Sequence, residues 1–232
     1  MDGITKHEEG WQCYYCGYIF CNANADNHEV DDKLKPFWVE KSVDAMTCSC
    51  GCEVILTNNT GRNISYSKFY RCDKIECNNL VSIKFKGKYF QPEYFLTHVG
   101  IEGLREVKTT EDKIAEEILF LAARKEESSF VHVGPKRKCE LMWADGKVAG
   151  YYNYSFDMGI PILRQLYVAP EFRNKGYGAT MIKSFIAKFS NKICYGIESP
   201  NPKTANLLRK IGLVNNEGKS LDPKLKFFSS GA

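Results

Sequence analysis

Apolar and polar positions follow different rules in the two halves of this chain. Residues 110–127, TEDKIAEEILFLAARKEE, repeat Ile114, Ile118, Leu121 and Ala122 at helical spacing, with Thr110 as N-cap and acids in the first turn. Residues 139–156, CELMWADGKVAGYYNYSF, read as two strands joined at Asp145 and Gly146, a type I′ hairpin signal. Residues 161–168 make a third strand, 178–189 a helix and 192–199 a further strand. A helix follows over 201–213, capped by Asn201, with Pro202 at its first position and Gly212 at its end. KLKFFS closes the pattern as a last strand. The first 80 residues lack such periodicity and are rich in turns and cysteines. The run LVSIKFKGKYF at 80–90 is a strand that pattern alone assigns to neither half. These features predict an α+β chain: a cysteine-rich module at 1–85 and a larger domain at 86–232.

Composition narrows the setting. A chain of 232 residues that is 44% hydrophobic can bury a core, and a net charge of +4 permits an acidic partner without demanding one. The start, MDGITKHEEG, has no apolar core, so it reads as no signal peptide. The best apolar run, ILFLAA at 118–123, falls far short of the ~20 residues a membrane helix needs. A reducing, cytoplasmic setting is expected, and in a chain with ten cysteines that favours metal ligation over disulfides.

Eight of those cysteines precede residue 80. Cys13 and Cys16 form a Cys-x-x-Cys-Gly knuckle, a tight turn that points two thiolates at one tetrahedral ion. Cys21, Cys48, Cys50, Cys52, Cys72 and Cys77 follow, with His28 nearby. A segment with so little core needs an ion to fold, and two Zn2+ fit eight cysteines. The pairing stays open: Cys48, Cys50 and Cys52 compete, and His28 can replace a cysteine such as Cys21. An iron–sulfur cluster is the alternative, though no ferredoxin spacing appears. CSCGCEV with FYRCDKIECNN resembles, over a short stretch, the zinc ribbons appended to type IA topoisomerases. Cys139 and Cys194 lie on predicted strands as core thiols. Aromatics interleave with cations at YSKFYRC and KPFWVEK; they either stack on nucleic-acid bases or form the module's own small core, the latter preferred.

One further stretch carries chemistry. After LRQLYVAPEF come Arg173, Asn174, Lys175, Gly176, Tyr177, Gly178 and Ala179, and then a helix. A helix start presents unpaired N–H groups, and two glycines strip side chains from the approach to them. The result is a cradle for a pyrophosphate, with cations at its rim. It is neither a P-loop nor a dinucleotide fingerprint, and short strings of this kind also arise from composition alone.

In its ordered context, LYVAPEFRNKGYGATMI followed by NPKTANLLRKIGL resembles the GNAT superfamily of acyl-coenzyme A-dependent N-acyltransferases, over roughly residues 105–228. The resemblance implies a mixed, mostly antiparallel sheet flanked by helices. It implies acetyl-coenzyme A as co-substrate, its arm along Leu166, Tyr167 and Val168, its pyrophosphate on residues 173–179, and Asn201 beside it. It implies an amine acceptor, and the added metal module points to a protein or nucleic acid. Glu198 is the candidate base, at the end of the facing strand. A tyrosine acid that the family often carries falls here at Leu208, so Ser199, Tyr195 or Tyr177 would have to replace it, or the thiolate leaves unaided. The rival expectation is a non-catalytic nucleic-acid-binding or adaptor protein with a degenerate transferase fold. The resemblance leaves the oligomeric state open.

Overall fold

The computed structural model describes residues 11–13, 19–20, 38–40, 45–55, 63–64, 67–72, 74, 77, 79–86, 88–98, 100–127 and 137–229. They belong to two compact units, Met1–Thr97 and His98–Ala232.

In the first unit, β1 (Trp11–Cys13), β2 (Ile19–Phe20) and β3 (Trp38–Glu40) form a three-stranded sheet in the order β2-β1-β3. β4 (Ala45–Thr47) pairs with β5 (Glu53–Ile55). β6 (Asn63–Ile64), β7 (Ser67–Arg71), β8 (Leu80–Phe85) and β9 (Lys88–Phe90) form an antiparallel sheet, followed by the short helix α1 (Pro92–Leu96). The run LVSIKFKGKYF is thus a hairpin that pairs with β7 in this unit. Its core is largely aromatic: Phe69, Tyr70, Ile83, Phe85, Phe90 and Phe95 are buried, and Phe95 sets its ring edge against Phe85 and Phe90. Phe69 and Tyr70 therefore serve the small core, as preferred from the sequence. The side chains of KPFWVEK lie outside the described residues.

The second unit runs β10 (Gly103–Glu106), α2 (Thr110–Glu126), β11 (Lys138–Ala144), β12 (Lys147–Asp157), β13 (Ile160–Val168), α3 (Tyr177–Lys188), β14 (Tyr195–Glu198), α4 (Pro202–Lys210) and β15 (Leu225–Phe228). The six strands form one sheet in chain order. β10 to β13 are antiparallel, whereas β13–β14 and β14–β15 are parallel, so the unit is mixed α+β.

Local chemistry accounts for the elements. Asp145 and Gly146 both take positive φ, +53° and +69°, the type I′ turn their identities demand. The cap of α2 lies one residue before the predicted Thr110. Thr109 Oγ1 accepts from the Asp112 amide (3.0 Å) while Asp112 Oδ2 accepts from the Thr109 amide (2.8 Å). This reciprocal box needs an acid three residues on, which Thr109 has in Asp112 and Thr110, followed by Lys113, does not. The helix buries Ile114, Ala115, Ile118, Leu119, Phe120 and Ala123; the predicted Leu121 and Ala122 are only half-buried. α4 is capped as predicted, Asn201 Oδ1 accepting from the Thr204 amide at 2.9 Å.

Consecutive residues Tyr151 and Tyr152 are both fully buried, so both faces of β12 are covered. Tyr152 meets Phe185 of α3, and Tyr151 turns to the other face, beside Glu116 and Glu117 of α2. Cys139 is buried as expected, but Cys194, just before β14 begins, is only half-buried. Two glycines let the central strands close. A Cβ on Gly150 would lie 2.3 Å from the Tyr167 carbonyl oxygen, and one on Gly196 would lie 2.2 Å from the Phe228 ring. Backbone cannot step aside as a side chain can. Gly150→Ala is therefore expected to cost about 3 kcal/mol, read as a lower urea midpoint with an unchanged slope.

Candidate active site and candidate metal centre

β13 carries one residue too many for its partner. Asn153 faces Gln165 and Tyr154 faces Leu163, so Arg164 is bulged. On its other edge β13 pairs with β14 only at Ile162 with Gly196 and Leu163 with Ile197. Past that joint the strands part. The Ala169 amide donates to the Ala149 carbonyl at 2.9 Å, toward β12, so by alternation the amides of Val168 and Leu166 face the gap and Tyr167 faces β12. At the joint, Arg164 Nη1 donates to Glu198 Oε1 at 2.5 Å and Arg164 Nε to Ser155 Oγ at 2.8 Å.

The open edge leads to the glycine turn. After the 3₁₀ turn Pro170–Phe172, Asn174 (φ +61°) and Gly176 (φ +87°) take left-handed conformations and bend the chain into α3. The Thr180 amide is the first to close back, on the Gly176 carbonyl at 3.0 Å. Among the described residues, no amide from 174 to 179 donates to a protein acceptor. A Cβ on Gly178 would sit 3.0 Å from Leu207 of α4, so glycine here serves close helix approach as well as bare backbone. The cradle thus fits an anionic group: among the described residues its amides are unspent, and a Cβ on Gly176 would meet nothing within 4 Å.

The rim cations differ in what they do. Lys175 is exposed, with Nζ 5.3 Å from the Phe172 ring centre. Arg173 instead turns inward: Nε donates to the Val168 carbonyl (3.0 Å) and Nη2 to Glu126 Oε2 (2.5 Å). Tyr167 Oη donates to Glu126 Oε1 at 2.8 Å. Burial raises the Glu126 carboxyl, but hydrogen bonds from Arg173 and Tyr167 outweigh it and hold the group below its usual range. Burial, and then the Glu126 carboxylate, push the Tyr167 phenol up, so it stays a donor. The next residue, Glu127, accepts from Asn201 Nδ2 at 3.0 Å, so both polar ends of Asn201 are engaged. Glu126 and Glu127 escaped sequence reasoning because they looked like the solvated end of a helix.

Potential proton donors are few. Leu208 is buried and apolar, Tyr195 donates to Asp222, and Ser199 Oγ donates to the Phe228 carbonyl at 3.4 Å. Ser199 holds φ at +34°, and Tyr177 sets its ring edge against Phe172. Arg164 also went unnoticed, although a cation and an amide inside the apolar run PILRQLYV were a visible signal.

In the first unit, Cys48, Cys50, Cys72 and Cys77 place their sulfurs within 4.8 Å of one another. Cys48 and Cys50 sit on the turn between β4 and β5, where the Cys48 amide donates to the Cys52 carbonyl and Gly51 takes φ +84°. Cys72 and Cys77 sit between β7 and β8, where the Cys72 amide donates to the Asn79 carbonyl. Asn79 Nδ2 donates to Ser49 Oγ at 3.2 Å and ties the two loops together. The Cys48–Cys77 and Cys50–Cys72 sulfur separations are 3.5 and 3.6 Å. A tetrahedron with ~2.3 Å metal–sulfur bonds has edges of about 3.8 Å, so the four can hold a metal ion. The Cys52 amide, and then the Cys77 and Cys52 thiols, draw the Cys50 thiol down to about 6. Cys52 itself lies outside the four. The side chain of Cys13, and all of Cys16, Cys21 and His28, lie outside the described residues.

The Glu126 brace gives a test with a definite sign. A lowered carboxyl value in the folded state adds stability that is complete above the ordinary value of 4.5 and lost as pH falls through the folded one. Wild type should exceed Glu126→Gln in urea midpoint near neutral pH, and the gap should narrow as pH falls below 4.5.

Residues 101–213 match the model of the acetyltransferase (GNAT) family. A comparison with curated proteins found no match. Among solved structures, the crystal structure of a Trypanosoma brucei acetyltransferase is similar over 50% of this chain and 80% of that one, at 14% identity and a TM-score of 0.31. The forked strands and the glycine-bent start of α3 fall inside the matched segment, and the chain carries, at residues 101–213, a GNAT acetyltransferase domain.

Proposed function

We propose that the protein transfers an acetyl group from acetyl-coenzyme A to an amine on a protein or nucleic acid, recognised with help from a zinc-holding N-terminal unit. The observation that carries this reading is the run of undonated amides at 174–179, opening onto the outward amides of Val168 and Leu166. The first group suits the coenzyme's pyrophosphate. The second suits its amide-bearing arm, which can add to the open strand edge as another strand would. Lys175 supplies charge at the rim, and Tyr177 and Ala179 contribute backbone.

The chemistry follows from the joint. An acceptor amine with the pKa of a free lysine, near 10.4, arrives protonated and must lose a proton to attack. Glu198, on the last residue of β14, is the proton acceptor in this proposal. The outward amides of β13 face the oxygen that gains charge as the thioester carbonyl is attacked. Ser199, bonded into the Phe228 carbonyl, fixes the end of β14. Asn201 caps α4 and braces the far side of the arm.

Cys48, Cys50, Cys72 and Cys77 hold one Zn2+ in this reading, and Cys13, Cys16, Cys21 and His28 supply a second site. Thiolate-bound zinc adds on the order of 10–16 kcal/mol to such small units. A reducing, cytoplasmic setting belongs to the same reading, since it keeps thiols available to zinc. Among the described residues no helix is long and apolar enough to cross a membrane, and none is needed here. The alternative, a non-catalytic binding protein, is favoured only by Leu208 at the place of the missing tyrosine.

Calorimetry with acetyl-coenzyme A should give saturable heat that Gly178→Val abolishes; no heat from the wild type would end the coenzyme reading. Incubation of labelled acetyl-coenzyme A and protein with cell extract should then move label into protein or nucleic acid. Label only in metabolites would overturn the macromolecular acceptor, and binding without any transfer would favour the adaptor. Native mass spectrometry should find two zinc ions per chain, and Cys72→Ser should release one of them.

A further inference from the structure

Where β13 and β14 part, the first side chains past the joint are a cation and an anion. We propose that Arg164 is a catalytic residue whose guanidinium receives the coenzyme's sulfur as a thiolate, so that departure needs no proton donor. The inference rests on the acetyl-coenzyme A reading and adds the group that takes up the leaving charge.

Position comes first. The last shared pair of the two strands is Leu163 with Ile197, and the next residues are Arg164 and Glu198. An arm stretched from the 174–179 amides along the outward amides of Val168 and Leu166 ends at this joint. From Val168 to Arg164 is about 13 Å, at ~3.3 Å per residue. The reactive end of the arm and the guanidinium therefore meet.

Orientation comes second. Nη1 is held by Glu198 Oε1 at 2.5 Å and Nε by Ser155 Oγ at 2.8 Å. Nη2 has no partner among the described residues. Both ionic side chains are 19% exposed, sheltered from bulk water yet reachable. The bulge aims this fork: in regular alternation, residues 164 and 165 would point to opposite faces.

The third observation is what surrounds it. Tyr151 Oη and Asn153 Nδ2 both donate to Gln165 Oε1, at 3.4 and 2.8 Å. The hydroxyls of Tyr195 and Ser199 are directed to Asp222 and Phe228, and Leu208 has no proton to give. Among the described residues the charged groups at the joint are thus Arg164 and Glu198, with neutral Ser155, Gln165, Tyr151 and Asn153 around them. An arginine does not act as an acid near neutral pH, but it stabilises an anion without moving a proton. In the step, the amine's lone pair forms the C–N bond and the C–S bond breaks with its electron pair staying on sulfur. The ammonium proton passes to Glu198 and on to solvent before attack, and the remaining surplus N–H proton follows the same route as the amide forms. The thiolate leaves against Arg164 and is protonated after release.

The test uses coenzyme A itself, with its free thiol, bound to the full chain and titrated by thiolate absorbance. A fixed cation within about 4–6 Å should lower the bound thiol's pKa by about one to three units. Arg164→Gln should return it to the value of the free coenzyme. A bound thiol that titrates like free coenzyme A, or alike in wild type and Arg164→Gln, overturns the assignment. A second measurement needs no variant. Above the thiol's pKa, coenzyme A should bind wild type at least tenfold more tightly than desulfo-coenzyme A, and below it the two should bind equally. Equal affinities throughout overturn the role of Arg164 while leaving the coenzyme site standing. If neither ligand binds, the coenzyme reading fails and this inference with it.

Discussion

A strand pairing that stops after two residues organises the second unit. β13 and β14 share only the pairs at Ile162 and Leu163, and everything after that joint has one edge without a strand. Backbone donors in such an edge need partners, and a sheet normally supplies them from the next strand. Here the bulge at Arg164 and the ion pair to Glu198 close the vertex with charge instead. The fork stays open because its tip is held by side chains.

The rest of the unit braces that opening. The end of α2 places two consecutive acids across it: Glu126 holds Tyr167 and Arg173 on the β13 flank, and Glu127 holds Asn201 at the start of α4. Gly150 allows β12 to approach β13, and Gly178 lets α3 approach α4. The aromatic core of Tyr152, Tyr154, Phe185 and Phe189 anchors α3 from below, so its amino end projects from a rigid base. The first unit solves a different problem. Its small core leaves two loops that paired turns bring together, with four thiols close enough to hold a metal ion.

Legibility followed the range of the interactions. The glycine turn was readable because helix-start amides and left-handed glycines are local matters. Asn201 was readable as a cap for the same reason, and its second bond, to Glu127, was not, because that partner lies 74 residues away. Thr109 was missed in favour of Thr110 although the deciding acid, Asp112, stood in plain view. The four clustered cysteines were all named, but spacing could not remove Cys52 from the contest. Its thiol bonds to those of Cys50 and Cys72 yet falls outside the group of four mutually close sulfurs, while its amide and carbonyl serve Cys50 and Cys48.

Periodicity, turn residues and cysteine spacing were therefore enough for the α+β class, the helix with its bare amino end and an amino-terminal region whose clustered cysteines can hold a metal ion, since each depends on neighbours a few positions apart. The exclusion of Cys52, the bulge that turns Arg164 toward Glu198 and the inward fold of Arg173 onto Glu126 came from three-dimensional packing. Strand register and the meeting of distant segments are set by the sum of many contacts, and a residue's identity carries no record of which distant side chain will lie beside it.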